Sequence, residues 1–211
     1  MKNLDKKKLL IFDLDGVIFD SKKNMRLAWN ETSKKFDLNI PFSLYFKKIG
    51  LPFIEILKSL GIRPKNEIYQ CFKSTSLKRI DLIKPYKGVI KQIKILKKNK
   101  IKFSIVTSKD LKRTKFLLRK YNIQPDTIHC PNDKLRGKPY PDHLLNSLKK
   151  NKVKPKEACY FGDAEVDYLA AKKAKIDFVF ARYGYGKKKS YYKYQIKNFS
   201  EIMLKKYFNI I

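Results

Sequence analysis

Two aspartates, two residues apart, close an apolar run in the stretch KLLIFDLDGVIFDS: Leu9-Leu10-Ile11-Phe12 leads into Asp13, and Asp15 follows before Gly16. Acids at the mouth of a buried strand are costly unless something neutralises them. Other apolar runs also end in polar residues. FSIV runs into Thr107 and Ser108, and ACYF into Gly162 and Asp163, with Asp167 one helical turn later. Between them, RGKPYPD presents Lys138 flanked by Gly137 and Pro139. Gathered at one edge, these segments would supply four carboxylates, a hydroxyl and an ammonium. Like charges ~4 Å apart repel by several kcal/mol at intermediate dielectric, so a divalent cation is needed. All-oxygen ligation points to Mg²⁺, which keeps several waters and takes a few carboxylates together with substrate phosphate. Beside such a cation, and with Lys138 near, Asp13 stays ionised and nucleophilic. Thr107 and the backbone N–H of Ser108 can donate to phosphoryl oxygens while Lys138 neutralises their charge. Asp15, on the same side of an extended strand as Asp13, can protonate a leaving oxygen and later activate water. The chemistry that this set of groups suits is phosphoryl transfer to and from Asp13.

The elements that must carry these residues are readable from their periodicity. IKFSIVT, DTIHC, EACYFGD and DFVFAR read as strands, each followed by a helix or a turn. The intervening helices are LKRTKFLLRKY, HLLNSLKK and VDYLAAKKA, with FSEIMLKKYF as a closing helix. Ile-, Val- and Phe-rich strands alternating with helices argue for βαβ units and a parallel sheet covered on both faces. In such sheets ligands bind at the carboxyl ends of the strands, where Asp13 and Asp15 fall. The pattern changes between Asp20 and Lys84. Met25, Ala28, Trp29, Thr32 and Phe36 lie at helical spacing on one amphipathic face, with Trp29 in the core of that segment. Pro41, the Gly50-Leu51-Pro52 turn and Gly61 divide the rest into short helical pieces, chiefly FIEILKSL and NEIYQCFKSTSLKRI. No strand is expected there. The Lys84-Pro85-Tyr86-Lys87-Gly88 stretch marks the return, and Tyr183-Gly184-Tyr185-Gly186 reads as a flexible aromatic loop that packs rather than recognises.

DLDGV, the strand-terminal Thr107, Lys138 in GKPYPD, and GDAEVD resemble the four ordered motifs of the haloacid dehalogenase superfamily. The helical insertion is similar to the cap of its phosphoglycolate phosphatase and β-phosphoglucomutase branch. The resemblance runs from Leu9 to about Gly186. It implies a Rossmann-like, doubly wound α/β core made of residues 1–20 and 84–211, with a helical cap at residues 21–83. It also implies that Asp13 is the nucleophile, forming an aspartyl-phosphate, and that Asp15 is the general acid/base. The implied Mg²⁺ ligands are Asp13, the Asp15 carbonyl and Asp163, with Asp167 in support. Ser108 stands where relatives usually carry Asn, which touches only backbone positioning. The implied activity is Mg²⁺-dependent hydrolysis of a small phosphorylated metabolite, with phosphoglycolate the first candidate. Dehalogenation is disfavoured, because it needs neither a second acid at Asp15 nor a metal-binding pair. A sugar-phosphate mutase is the nearest rival. Against it stand the GDxxxD spacing of Asp163 and Asp167, and Phe53 where the mutases carry a phosphate-binding Arg.

Composition sets the remaining bounds. The chain has 211 residues and a formal charge of +31, from 50 Lys and Arg against 19 Asp and Glu. Most of the basic residues are Lys, spread along the chain among abundant Asn, Ile, Phe and Tyr, as A/T-rich codons produce. Arg, the better reader of phosphates and bases, is scarce. A solvated basic surface is therefore expected rather than a specific nucleic-acid site. Cys71, Cys130 and Cys159 share no metal-ligand spacing and read as reduced structural thiols of a cytoplasmic protein. No membrane span or signal peptide is expected. His129 and His143 lack the paired spacing of a metal site. Taken alone, Asp163 and Asp167 would be helix-capping acids, but their place after ACYF favours the site.

Overall fold

Leu9–Phe12 forms β1, a strand of four apolar residues without exposed surface. A continuous run, rather than an alternating one, marks a strand buried on both faces. The computed structural model describes residues 7–203. After β1 come the two-residue strand β2 (Phe19–Asp20) and four helices: α1 (Lys22–Lys35), α2 (Phe42–Phe46), α3 (Phe53–Ser59) and α4 (Asn66–Lys78). The chain returns through β3 (Lys84–Pro85) and α5 (Val89–Lys98), and then alternates: β4 (Lys102–Val106), α6 (Leu111–Lys120), β5 (Thr127–His129) and α7 (Asp142–Asn151). β6 (Ala158–Gly162), α8 (Glu165–Ala174), β7 (Asp177–Ala181) and β8 (Tyr194–Ile196) follow.

Six strands form one parallel sheet in the order β5-β4-β1-β6-β7-β8. This is the doubly wound α/β sheet that the alternation of strands and helices predicts. Side chains alternate across it. Leu10 and Phe12 of β1 pack with Phe103, Ile105 and Phe161 beneath Val89, Ile93 and Leu96 of α5 and Leu117 and Leu118 of α6. Leu9 and Ile11 face the other way, onto Leu144 and Leu148 of α7 and Ala170, Ala171 and Ala174 of α8. Each fully buried aliphatic or aromatic side chain contributes roughly 1.5–3 kcal/mol, so the sheet is held rigidly from both faces. The order reverses around β1, with β4 on one side and β6 on the other. A crevice opens at such a switch point.

Helices α1–α4 have a core of their own, built from Met25, Ala28 and Trp29 of α1, Tyr45 of α2, Ile56 and Leu57 of α3, and Ile68 and Phe72 of α4. Trp29 stacks on Tyr45 at 4.4 Å between ring centres and donates its indole N–H to the Ile40 carbonyl at 2.8 Å. Where this helical part leaves and rejoins the sheet, β2 and β3 pair antiparallel, Phe19 with Pro85 and Asp20 with Lys84. Sequence periodicity misses this ribbon, because two-residue strands have no period to detect. The closing helix also differs from expectation: Phe199–Met203 is a 3₁₀ turn, and the rest of FSEIMLKKYF lies outside the described residues. Among the described residues no helix is long and apolar enough to cross a membrane.

Candidate active site

The register of the central strands sets the site. Phe12 of β1 lies level with Ile105 of β4 and Phe161 of β6, so the residues just past all three strands emerge at one edge. The Asp13 N–H still donates to the Phe161 carbonyl at 2.9 Å, and the Thr107 N–H to the His129 carbonyl at 3.0 Å. The sheet ladder therefore fixes both backbones up to the residue that matters. Gly16 (φ +87°) then turns the chain away. A Cβ there would sit 2.3 Å from Asp163 Oδ2, so the turn passes directly under that carboxylate.

Asp13, Asp163 and Asp167 are all buried, and each offers an oxygen within 4.8 Å of the others. Lys138 Nζ reaches into the cluster, 3.0 Å from Asp13 Oδ1 and 2.7 Å from Asp167 Oδ1. Asp167 is fully engaged by the protein. Its Oδ1 also accepts from the Tyr160 hydroxyl at 2.8 Å, and its Oδ2 accepts from the N–H groups of Ala164 at 3.0 Å and Asp163 at 3.2 Å. It thus caps the start of α8 and pairs with Lys138 at once. Asp13 Oδ1, by contrast, has no aligned hydrogen-bond donor although the ammonium is close.

Burial pushes the Asp13 carboxyl up to about 7, with Asp167 and Asp15 adding to the rise and Lys138 opposing it. Asp163 is raised well above the usual carboxylate range, first by burial and then by Asp167 and Asp13. Burial works against the Lys138 charge, but Asp13 and Asp167 outweigh it and hold the ammonium above its ordinary range. The cluster therefore carries more carboxylates than one lysine can neutralise. An all-oxygen set of buried acids that share one ammonium fits a hard divalent cation such as Mg²⁺.

Asp15 has partners of its own. Its Oδ2 lies 3.1 Å from Lys109 Nζ, and its Oδ1 accepts from Ser21 Oγ at 2.5 Å. Lys109 is itself buried, which lowers its pKa, while Asp15 acts to raise it. Arg113 of α6 stands further along the same wall. It pairs with Asp110 at 2.5 Å and donates to Ser76 Oγ of α4 at 2.8 Å, crossing from the sheet side to the helical part. Asp13, Asp15, Thr107, Ser108, Lys138 and Asp163 line one cavity of about 50 Å³, closed on the far side by Met25, Tyr45, Phe53, Ile56 and Phe72. Six of the seven residues expected from sequence thus share a cavity, and Asp167 sits behind its wall. Ser108 adds a contact of its own, its Oγ donating to the Gly50 carbonyl at 2.6 Å.

Sequence reasoning missed Lys109, Arg113, Tyr160 and Tyr185. Lys109 lies two residues past Thr107 on the same strand-end loop, so the rule that found Thr107 applies to it too. Tyr160 is a tyrosine on a buried strand, whose hydroxyl needs a partner. Arg113 and Tyr185 carry no local signal. Tyr185 belongs to the segment expected to be a flexible packing loop, yet its N–H donates to Asp163 Oδ2 at 2.6 Å. His129 and His143 are buried away from the cavity, and burial lowers the pKa of both.

Comparison with known proteins bears on the family and the fold. A family model described as haloacid dehalogenase-like hydrolase matches residues 10–181. A phosphoglycolate phosphatase of Aquifex aeolicus is 28% identical over 185 residues, covering 85% of this chain and 87% of its own. A phosphorylated carbohydrates phosphatase of Thermotoga maritima is 25% identical over 179 residues, covering 81% and 83%. The crystal structure of CbbY from Rhodobacter sphaeroides in complex with phosphate has a TM-score of 0.80 at 18% identity, covering 93% of this chain and 96% of that one, a likeness of fold.

Proposed function

The chain belongs to the haloacid dehalogenase-like hydrolases, and we propose that within that family it is a Mg²⁺-dependent phosphatase acting on a small phosphomonoester. The observation that carries the reading is Asp13 at the end of the central strand, flanked by Lys138 at 3.0 Å and two more buried carboxylates within 4.8 Å. Asp13, the Asp15 carbonyl and Asp163 would hold the cation, and Asp167, with both oxygens already engaged, supports them by holding Lys138 and the loop of Asp163. When bound, Mg²⁺ would neutralise the acids and the phosphoryl oxygens, which favours ionised Asp13.

An Asp13 oxygen attacks phosphorus, an Asp13–phosphorus bond forms, and the ester oxygen–phosphorus bond breaks. Lys138, the Thr107 hydroxyl and the Ser108 N–H hold the equatorial oxygens in place. Asp15 gives its proton to the departing oxygen, then takes one from the water that attacks phosphorus and frees Asp13. Lys109 and Ser21 fix the Asp15 carboxyl for both steps. The apolar wall of Met25, Tyr45, Phe53, Ile56 and Phe72 keeps bulk water from the phosphorylated aspartate.

A cavity of about 50 Å³ under this wall has no room for a polymer, which leaves a small ester as the substrate class. The names of the relatives support phosphoglycolate and phosphorylated sugars as first substrates to try. Phe53 in the cavity wall, where a mutase would carry a phosphate-binding Arg, favours hydrolysis over isomerisation. A cytoplasmic setting suits the three free cysteines, of which Cys130 is pushed up to about 11 by burial and is unreactive there. The test is a panel of phosphomonoesters with purified protein and Mg²⁺, following both inorganic phosphate and sugar-phosphate isomers. Phosphate release that stops in excess chelator is expected. Isomer without free phosphate would favour the mutase, and no turnover of any ester would overturn the reading.

A further inference from the structure

We propose that Tyr185 is a positioning residue that fastens the hinge of the helical cap to the carboxylate cluster, its backbone N–H holding Asp163 and its phenol holding, through Ser21, Asp15. The inference rests on the phosphatase reading above and deepens it. Tyr185 lies in the segment after β7 and is half-buried. Its N–H donates to Asp163 Oδ2 at 2.6 Å. A Cβ on the preceding Gly184 would fall 2.4 Å from Asp163 Cβ and 2.5 Å from the Gly16 carbonyl oxygen, so the segment is pressed against that acid.

The other end of the same residue reaches the hinge. The phenol oxygen accepts from the Ser21 N–H at 2.6 Å, and its own proton faces Asp20 Oδ1 at 3.2 Å and the Phe19 carbonyl at 3.4 Å. These three residues are β2 and the residue that precedes α1, where the chain leaves the sheet for the cap. The ring rests on Phe46 of α2, 5.1 Å between centres. Ser21 then hands the constraint on, because its Oγ binds Asp15. Asp163, Tyr185, Ser21 and Asp15 are thus joined in one chain of hydrogen bonds. Burial, with Tyr86 and Asp15 adding to it, holds the phenol pKa above its ordinary range, so the hydroxyl keeps its proton. A ring that merely packed would need only Phe46. The phenol instead meets three polar groups of the hinge, and displacement of about 1 Å at a catalytic group is enough to slow turnover strongly.

Tyr185→Phe separates the roles, since it keeps the ring and the N–H to Asp163 and removes only the phenol. Two readouts are needed: steady-state kinetics on a chromogenic phosphomonoester with Mg²⁺, and trypsin cleavage after Lys22 and Lys23 at the start of α1 in chelator. We expect kcat to fall about tenfold, the Mg²⁺ half-saturation and Tm to stay at wild-type values, and cleavage at the hinge to quicken several-fold. Unchanged kcat with unchanged cleavage overturns the proposal. So does a loss of kcat that tracks a lowered Tm, which would mark packing alone. If the wild type turns over no ester, the phosphatase reading falls, and the cleavage arm still decides what Tyr185 does.

Discussion

At the scale of single residues, the site is a balance between acids and two buried lysines, Lys138 and Lys109. Asp13→Asn should remove at least ~10³-fold of turnover, since nothing else can attack from the end of β1. The same variant tests the electrostatics. With a folded-state pKa near 7 against an ordinary 3.8, the Asp13 carboxyl binds its proton more tightly in the folded protein. Its contribution to stability is therefore fully present below pH ~4 and is lost as pH rises through ~7. In chelator, the difference in Tm between Asp13→Asn and wild type should grow in favour of the variant across that window. A constant difference from pH 4 to 8 would show that Asp13 does not titrate there. Lys138 works in the opposite sense. Lys138→Met leaves Asp13 and Asp167 buried without their cation, and loss of one partner of a buried pair costs about 3–5 kcal/mol. Urea unfolding in chelator should show that loss, with part of it recovered on adding Mg²⁺.

At the scale of elements, one of the contacts between the helical part and the sheet edge is a tight loop. Gly50, between α2 and α3, has φ +101°, and a Cβ there would fall 2.6 Å from Val166 Cγ2 in the first turn of α8. Its carbonyl is held by Ser108 Oγ. Gly50→Ala therefore strains the backbone and props the loop away from α8. The core of the cap does not include this loop's glycine, so the cap should still fold. We expect KM to rise about tenfold with Tm within a few degrees of wild type. Equal KM in the two proteins would mean that the loop can close despite the added methyl. Trp29, the one tryptophan, sits in the cap core beside Tyr45 and offers an intrinsic fluorescence check that this core is intact.

At the scale of the whole molecule, a formal charge of +31 surrounds an acidic centre. A field of that sign draws anions in and raises association rates at low salt without setting specificity. kcat/KM should therefore fall several-fold between ~50 and ~200 mM salt while kcat stays level, and binding to duplex DNA should weaken steeply over the same range. DNA binding that persists in that range, without turnover of any small ester, would favour a nucleic-acid role. Stability has a second pH dependence, from a side chain outside the cavity. Burial, with His143 and Lys150 adding to it, holds the His129 imidazole down to about 4 against an ordinary 6.5. A depressed folded-state pKa gives stability that is present above pH ~6.5 and is lost as pH falls toward ~4. His129→Gln should flatten the acid limb of the melting curve by that part.

The amino-acid pattern alone determined strands β1, β4, β5, β6 and β7, their alternation with helices and the polar residues that end them. Strand and helix periods are local, and the last apolar residue of a buried strand is visible without a partner. Asp13, Thr107 and Asp163 could therefore be named before their neighbours were known, and Lys138 from its Gly-Lys-Pro setting. What the pattern could not determine depends on residues far apart in the chain meeting in space. Arg113 and Ser76, Lys109 and Asp15, and Tyr185 and Asp163 are such pairs. No period or spacing links their members, and each side chain taken alone looks like one more basic or aromatic residue. The same holds for the division of labour among the acids. Asp163 and Asp167 stand four residues apart and read alike as a pair, yet only folding brings Lys138, Tyr160 and two backbone N–H groups onto Asp167. Local sequence fixes where a carboxylate leaves its strand, and tertiary packing decides which of its oxygens remain free to bind anything else.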